Sequence, residues 1–487
     1  MGFKVDTKFL RNITMGAVGV GATIPILRNH GLEPIELERY CLSNKIWATK
    51  IKRLRVPDLL CIRTGTRIEV RAKSKLRIAM SDAPGNPDRR WDVGLRDEDL
   101  VVFIAVNEEG GSLVPSSRAN VFSVEAMRSS VASSKLSGRK SATEGSEQSR
   151  EWPTSVPGKD GTVEELKTGS IVVRFASGRK QIYKLSGDYP KYPYLTPGDS
   201  FTAGDVFLSG TVPGLADLGE LETTRWEPSL DLSSDDATTR YSAVKAISFV
   251  DSKFPRGVLL RIMDEDIDER IRLEAAGSLA RIGVEDGFAH LRRVAHEHET
   301  SYLRMEAVLI ATELGDGAVA DLLGEVADGA GEFPELRQAA VWGLGWSGAR
   351  AYDRLVRYVG HPEDEVAMHA IAAFGDDVAR PTIEKLADIL ASGSQRERVG
   401  ALETLARVGT KDVLAAMVDR IHESGDDEQS AWLLAVVGRL DATMVRSELR
   451  GTPLLRRVAP MLLGSSGNWL ASPAASRSFR FLLEQSM

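Results

Sequence analysis

Two cysteines, Cys41 and Cys61, are all that the 487 residues contain. Neither a disulfide framework nor a four-cysteine zinc site can therefore hold the chain together. Long apolar runs are absent as well. The best candidate, Met15 to Leu27, spans 13 residues between Thr14 and Arg28, too short to cross a bilayer. Met1-Gly-Phe-Lys-Val-Asp6 leads into no hydrophobic segment with a cleavage site, and Asp6 stands where a myristoylation motif needs Ser or Thr. The expectation is a cytoplasmic chain with no membrane partner. A hydrophobic fraction of 43% with 27% charged residues is ordinary for globular proteins, which argues against a wholly disordered or fibrous chain. At ~150 residues per domain the length suffices for two to four cores.

Charge is unevenly spread. The chain carries a formal −7, yet between Glu36 and Arg77 twelve basic residues meet only Glu36, Glu38, Asp58 and Glu69. That window holds +8, which leaves −15 for the rest. A basic segment in an acidic chain points to a polyanionic partner, most simply nucleic acid, with DNA the expected one. A solvated basic surface without a ligand is the alternative.

Composition also divides the chain. Residues 129–159, from Val131 onward rich in Ser, Lys, Gly, Glu and Pro, read as a flexible linker that closes an N-terminal domain at 128. Residues 160–225 read as short strands punctuated by Gly-Asp pairs and prolines, a small all-β module. Its phrase Tyr194-Leu-Thr-Pro-Gly-Asp-Ser-Phe-Thr-Ala-Gly-Asp-Val-Phe207 resembles the turn-and-strand phrase of sandwich-barrel hybrid modules. No lysine there stands at a hairpin tip as a carrier site would need, so a spacer or docking role is expected.

From Asp236 onward the sequence repeats itself. Ala243, Ala275, Ala307, Ala340, Ala370, Ala401 and Ala431 recur at intervals of 30 to 33, and Arg240, Arg272, Arg304, Arg337 and Arg398 stand three residues before five of them. An apolar helical stripe follows each alanine, and a second short helix follows the stripe. Two helices per period mark an α-solenoid, whose units bury their faces only against neighbours. The pattern, over 236–440, resembles HEAT-like repeats of the short kind, with 441–487 as a helical C-terminal cap. A protein partner on the solenoid is the expectation.

The N-terminal domain carries the candidate chemistry. Val56-Pro-Asp-Leu-Leu-Cys-Ile62 reads as a strand, Thr64-Gly65 as a turn, and Arg67-Ile-Glu-Val-Arg-Ala-Lys73 as the returning strand. Side chains alternate along a strand, so Glu69, Arg71, Lys73 and Lys75 share a face that Asp58 can join. Pro34 to Lys52 reads as a helix bearing Glu38, and Leu100 to Val106 as a later core strand. A helix acid, Pro-Asp on a strand, then an acid and a lysine on the return: this order resembles the PD-(D/E)xK nuclease superfamily over about residues 8 to 106. The resemblance implies an α/β restriction-endonuclease-like fold and metal-dependent phosphodiester hydrolysis. Mg²⁺ or Mn²⁺ would be held by Asp58 and Glu69, with Glu38 a third carboxylate or a water-orienting group. A lysine would steady charge in the transition state, and Lys50, Lys52, Arg53, Arg55, Lys75 and Arg77 would hold backbone phosphates. Arg71 stands where the family has lysine, and arginine cannot act as a proton-transfer base. Lys73 takes over the role, or Arg71 stabilises charge only, or catalysis has been lost, or the strand pair matches by coincidence. A nuclease fused to a solenoid suits restriction, repair or anti-phage defence. The competing reading is a scaffold that docks nucleic acid or an anionic protein without cutting. A repeat-based inhibitor is a third, which leaves the N-terminal pattern unexplained.

Three other features were candidates. Gly16-Ala-Val-Gly-Val-Gly21 is expected to be small-residue helix packing rather than a nucleotide loop. His296-Glu-His-Glu299 invites a metal reading, but residues two apart on a helix do not share a face. Trp91 and Asp92, beside Arg89 and Arg90, suit the lining of the same nucleic-acid cleft, since an aromatic next to arginines can stack on a base, but core packing of Trp91 is the expected use.

Overall fold

The computed structural model describes residues 7–38, 54, 56–109, 112–138, 148–184, 195–214, 225–250, 256–315, 317–329, 334–346, 351–424 and 427–459. Lys50, Lys52, Arg53 and Arg55 lie outside the described residues. The chain divides into two units: residues 12–45 and 53–259, whose described part is mixed α/β, and residues 1–11, 46–52 and 260–487, whose described part is all-helical.

The α/β unit is built on helix α1 (Thr7–Asn29) and strands β1 (Pro34–Glu36), β2 (Leu59–Cys61), β3 (Arg67–Lys73), β4 (Ile78–Asp82), β5 (Leu100–Glu109) and β6 (Ser112–Ser123). Five of the strands form one sheet in the order β1-β2-β3-β5-β6. Only β3 and β5 run parallel within it. Alternation decides the faces: Ile68, Val70, Leu100, Val102 and Ile104 pack with Val20 and Leu27 of α1, while Val101 and Phe103 enter a second core on the other face. Buried on both sides, β5 is apolar at every position from Leu100 to Val106, as a central strand must be. Helix and sheet meet closely at Gly19, where an added Cβ would lie 2.7 Å from the Ala72 Cβ. Gly19 thus serves packing, as expected of the run, whereas a Cβ at Gly21 would meet nothing within 4 Å.

The helix expected over 34–52 is not formed in its described part. Pro34-Ile-Glu36 is instead an edge strand in register with Leu59–Cys61, extended by Leu37 N–H donating to the Asp58 carbonyl at 2.9 Å. Pro34 opens an edge strand, where its missing N–H costs no ladder bond.

The expected linker is also overturned where it is described. After α2 (Val124–Ser129), β7 (Lys135–Ser137) and β8 (Gln148–Trp152) join β4 in a three-stranded sheet of order β4-β8-β7. One residue outweighs the polar composition: Trp152 is fully buried and meets Trp91 edge-on at 5.3 Å. Residues 139–147 lie outside the described residues. Strands β9 (Thr154–Ser155), β10 (Gly161–Lys167), β11 (Ser170–Phe175), β12 (Lys180–Lys184), β13 (Ser200–Phe201) and β14 (Ser209–Gly210) follow. Four of them form a sheet of order β12-β11-β10-β13 over its own core of Val163, Ile171, Val173 and Phe201. The module is not free-standing, because Phe207 and Val212 belong to the core of the larger sheet.

Paired helices follow, of which α3 and the start of α4 fall within the α/β unit: α3 (Ala237–Ile247), α4 (Arg256–Glu265), α5 (Glu269–Arg281), α6 (Glu285–Glu297), α7 (Ser301–Thr312), α8 (Gly317–Gly329), α9 (Pro334–Trp346), α10 (Tyr352–Leu355), α11 (Asp364–Ala372), α12 (Arg380–Ser392), α13 (Gln395–Val408), α14 (Lys411–Glu423), α15 (Asp427–Val437), α16 (Ala442–Glu448) and α17 (Pro453–Val458). Six of the periodic alanines are fully buried; Ala431, the last, is exposed. The periodic arginines close the preceding segment. Arg304 Nε donates to the Ala295 carbonyl at 2.9 Å, Arg337 Nε to Ala327 at 2.8 Å and Arg398 to Ala391 at 3.1 Å. Each carbonyl lies in the last turn of a helix, where it lacks an intrahelical partner and where the dipole favours a cation. Arg272 does the same for the Asp266 carbonyl just past α4. Among the described residues no helix is long and apolar enough to cross a membrane.

Candidate nucleic-acid interface

The hairpin β2–β3 pairs Leu59 with Ile68 and Leu60 with Arg67. Continuing that register sets Asp58 opposite Glu69, and directly opposed residues of an antiparallel pair share a face. Leu59, Ile68 and Val70 face α1, so Asp58, Arg67, Glu69, Arg71 and Lys73 belong to the opposite face. The turn between the strands requires Gly65, which has φ +71° and packs its Cα against the Trp226 ring. Trp226 N–H also donates to the Arg63 carbonyl at 2.7 Å, so a segment far along the chain holds the turn.

Both carboxylates are already engaged. Asp58 is 2% exposed, and its Oδ2 accepts from Val70 N–H at 2.7 Å. It thus stands in for a ladder carbonyl where β2 ends. Glu69 is 14% exposed and forms an ion pair with Arg71. Glu38 lies two residues beyond β1, one past Leu37, which faces Asp58 across the strands. Among the described residues, no three His, Cys, Asp or Glu side chains gather where they would hold a metal ion. The extended register sets Asp58 beside Glu69, and Glu38 does not join them as a third ligand. Lys73 is half-buried at the end of β3, Lys75 is exposed, and Arg77 lies 3.6 Å from Glu151.

Beside this face runs a buried ion-pair cluster that sequence reasoning missed. Arg67, 3% exposed, donates through its backbone N–H and its Nε to Asp99, 3.0 Å in each case. Arg96 joins through its N–H at 2.7 Å and spans to the Gly65 carbonyl at 2.8 Å. Burial lowers the Arg67 guanidinium pKa against the opposing pull of Asp99. The cluster ties the loop before β5 to the start of β3. Its only sequence signal was Arg67 at an alternating position that points inward.

The surroundings of Trp91 and Asp92 are structural. Asp82, 2% exposed, accepts from Arg150 Nε at 2.6 Å and from Trp91 N–H at 3.3 Å. Asp92 accepts from Arg128 Nε at 2.9 Å. Trp91 is core, as expected. In the helical unit, His296 faces Glu325 at 3.5 Å and His298 faces Glu269 at 3.7 Å, so the two histidines diverge.

No family model matches the sequence, and no curated protein matches it. Among solved structures, the chain is similar to the CpcE–CpcF complex of phycocyanin lyase from Nostoc sp. PCC7120, with 19% identity, 49% of this chain and 94% of that chain covered, and a TM-score of 0.25. It is also similar to human deoxyhypusine hydroxylase in complex with glycerol, with 17% identity, coverage of 47% and 95%, and a TM-score of 0.22. Scores this low transfer no function.

Proposed function

We propose that the α/β unit is a metal-dependent nuclease acting on nucleic-acid phosphodiesters, and that the helical repeats bind a protein partner or guide substrate. What supports this reading is the β2–β3 register, which carried one step past the Leu59–Ile68 pair brings Asp58 beside Glu69, with Lys73 further along β3. Two carboxylates supply the hard oxygen donors that Mg²⁺ favours, and Mg²⁺ commonly takes only one or two from protein and the rest from water and phosphate. Such an ion would supply electrostatic stabilisation of the transferring phosphoryl group. Asp58 would keep its bond to Val70 N–H, which fixes the orientation of its carboxylate. Glu69 would exchange Arg71 for the ion, releasing a guanidinium to hold a phosphate oxygen. Lys73, a point charge on the same face, would steady developing negative charge, and Lys75 and Arg77 would position the backbone.

The Glu69–Arg71 ion pair favours a second reading, a degenerate nuclease fold that holds nucleic acid without cutting it. Cleavage of plasmid, linear duplex and single-stranded DNA, and of RNA, with Mg²⁺ or Mn²⁺ separates the two. The nuclease reading expects metal-dependent cutting that falls at least 100-fold in Glu69→Gln, with Lys73→Met showing whether that lysine has taken the role. Absence of cutting, with salt-sensitive binding kept in Glu69→Gln and weakened in a Lys75→Gln/Arg77→Gln variant, establishes the second. A slope of log affinity against log salt that is lower by about two in the double variant would mark two lost phosphate contacts.

A further inference from the structure

A cleft of about 320 Å³ opens in the helical unit where the start of α5, the second half of α6 and the start of α7 meet. Its floor is Leu273, Val294 and Leu303, all buried. Its polar wall comes from α6, where His290, Arg293 and Glu297 follow the i, i+3, i+7 spacing of one helix stripe. Elsewhere along the repeats, the second helices spend their charged residues on each other: Arg292 on Glu325, Lys385 on Asp353, Arg420 on Glu384 and Lys411 on Glu448. The stripe into the cleft is not used in that way.

The hydrogen-bond pattern sets which atoms face a ligand. Arg293 lies 3.0 Å from His290 Nδ1, and an arginine can only donate, so that nitrogen accepts and the proton sits on Nε2. His298 Nδ1 accepts from Thr300 N–H at 3.0 Å, which likewise places its proton on Nε2, toward Glu269 at 3.7 Å. Glu269 is thus answered by His298. Arg272 commits its Nε to the Asp266 carbonyl and keeps its terminal nitrogens. The groups left over are donors: His290 Nε2–H, the Arg293 N–H groups not given to His290, and the Arg272 terminus.

We propose that this cleft is a binding site for the oxyanion of a small phosphate- or carboxylate-bearing ligand, held by His290, Arg293 and Arg272 over the apolar floor. Arg293 presents the planar fork suited to an oxyanion, and the floor takes the uncharged part of the ligand. Glu297 also lines the cleft and is exposed, and it disfavours anions held close to its carboxylate. In the unliganded protein, burial and then Arg293 hold the His290 imidazole below its ordinary range, with Arg272 and His298 adding to the effect and Asp264 opposing it. A bound anion reverses the sign of its surroundings, so His290 reports on occupancy.

The test follows the histidine ring protons of the full chain by NMR across pH, with the His290 signal assigned through His290→Gln. Inorganic phosphate, AMP and acetate are compared at one ionic strength, with chloride as the reference. Phosphate or AMP, or acetate if the ligand is a carboxylate, is expected to raise the His290 midpoint by about one pH unit, a tenfold change in proton affinity. Arg293→Gln is expected to abolish the response, and Arg293→Lys, which keeps the charge without the fork, to weaken it. A His290 midpoint that no anion moves beyond chloride overturns the proposal. So does an equal response in folded Arg293→Gln.

Discussion

In the α/β unit, arginines reach carboxylates that lie far away in sequence and deep in the fold. Arg67 meets Asp99 across 32 positions and Arg150 meets Asp82 across 68, with both carboxylates at most 2% exposed. In the helical unit the arginines instead recur with the repeat. They close helix ends through main-chain carbonyls, as Arg304 and Arg337 do, or pair with the neighbouring repeat at the surface, as Arg292 does. The same side chain is a one-off internal tie in one unit and a periodic fitting in the other. Charge that is buried must be paired and hydrogen-bonded to be tolerated, whereas a partly exposed charge at a helix end costs less, and one on the surface little, if the partner is lost.

That contrast predicts an order of mutational cost. Asp99→Ala should be the most damaging, since it leaves the buried Arg67 guanidinium to Asp236, 4.0 Å away and largely exposed; a loss of about 3–5 kcal/mol is expected. Urea unfolding of the α/β unit measures it, and a loss under 1 kcal/mol would erase the distinction between the two kinds of arginine. A cap in the helical unit should matter less. Arg337→Ala removes a donor to the Ala327 carbonyl and the ion pair with Glu363, and about 1.5–3 kcal/mol is expected from thermal or urea melts.

Acid should sharpen the comparison within the helical unit itself. His369 is fully buried, edge-on to Trp342 at 5.7 Å, and burial pushes its imidazole down to about 3. Its folded value lies below its unfolded one, so its contribution is complete above about pH 6.5 and is lost as pH falls toward 3. Glu403 works the other way: burial, opposed by Arg439, raises it to about 7, so its contribution fades as pH rises from the ordinary carboxylate range. Subtracting His369→Gln from the parent isolates the histidine. The difference should steepen below pH 6.5 by up to about 1.4 kcal/mol per pH unit, and a flat difference would refute a neutral buried imidazole. The smallest effect is expected on the surface ladder. Arg292→Ala should cost at most about 1 kcal/mol, and less as salt is added; a larger, salt-independent cost in melts would mean that the ladder is a structural core.

Periodicity is what made the helical repeats legible. A buried alanine at nearly constant spacing and an arginine three residues before it state the architecture without reference to anything distant, because each unit packs only on its neighbours. The arginine's role as a cap was not legible, since its acceptor is a main-chain carbonyl with no sequence signature. The β2–β3 hairpin was readable for a similar reason: Thr64-Gly65 sets the turn and the flanking alternation sets the faces. The segment from Pro34 read as helix and formed a strand, because its hydrogen-bond partners at Leu59–Cys61 lie 25 residues on. The polar stretch around Trp152 read as linker for want of any local sign that one tryptophan would fill the core against Trp91. Of the candidate site, the sequence placed Asp58, Glu69, Arg71 and Lys73 on one face. Local alternation is enough to decide that. Whether the carboxylates stand free or engaged was decided only by the tertiary structure, where β3 presents Val70 N–H to Asp58 and the Arg71 guanidinium folds back on Glu69. A strand's period fixes the direction in which a side chain leaves the backbone; what it meets there depends on every element packed around it.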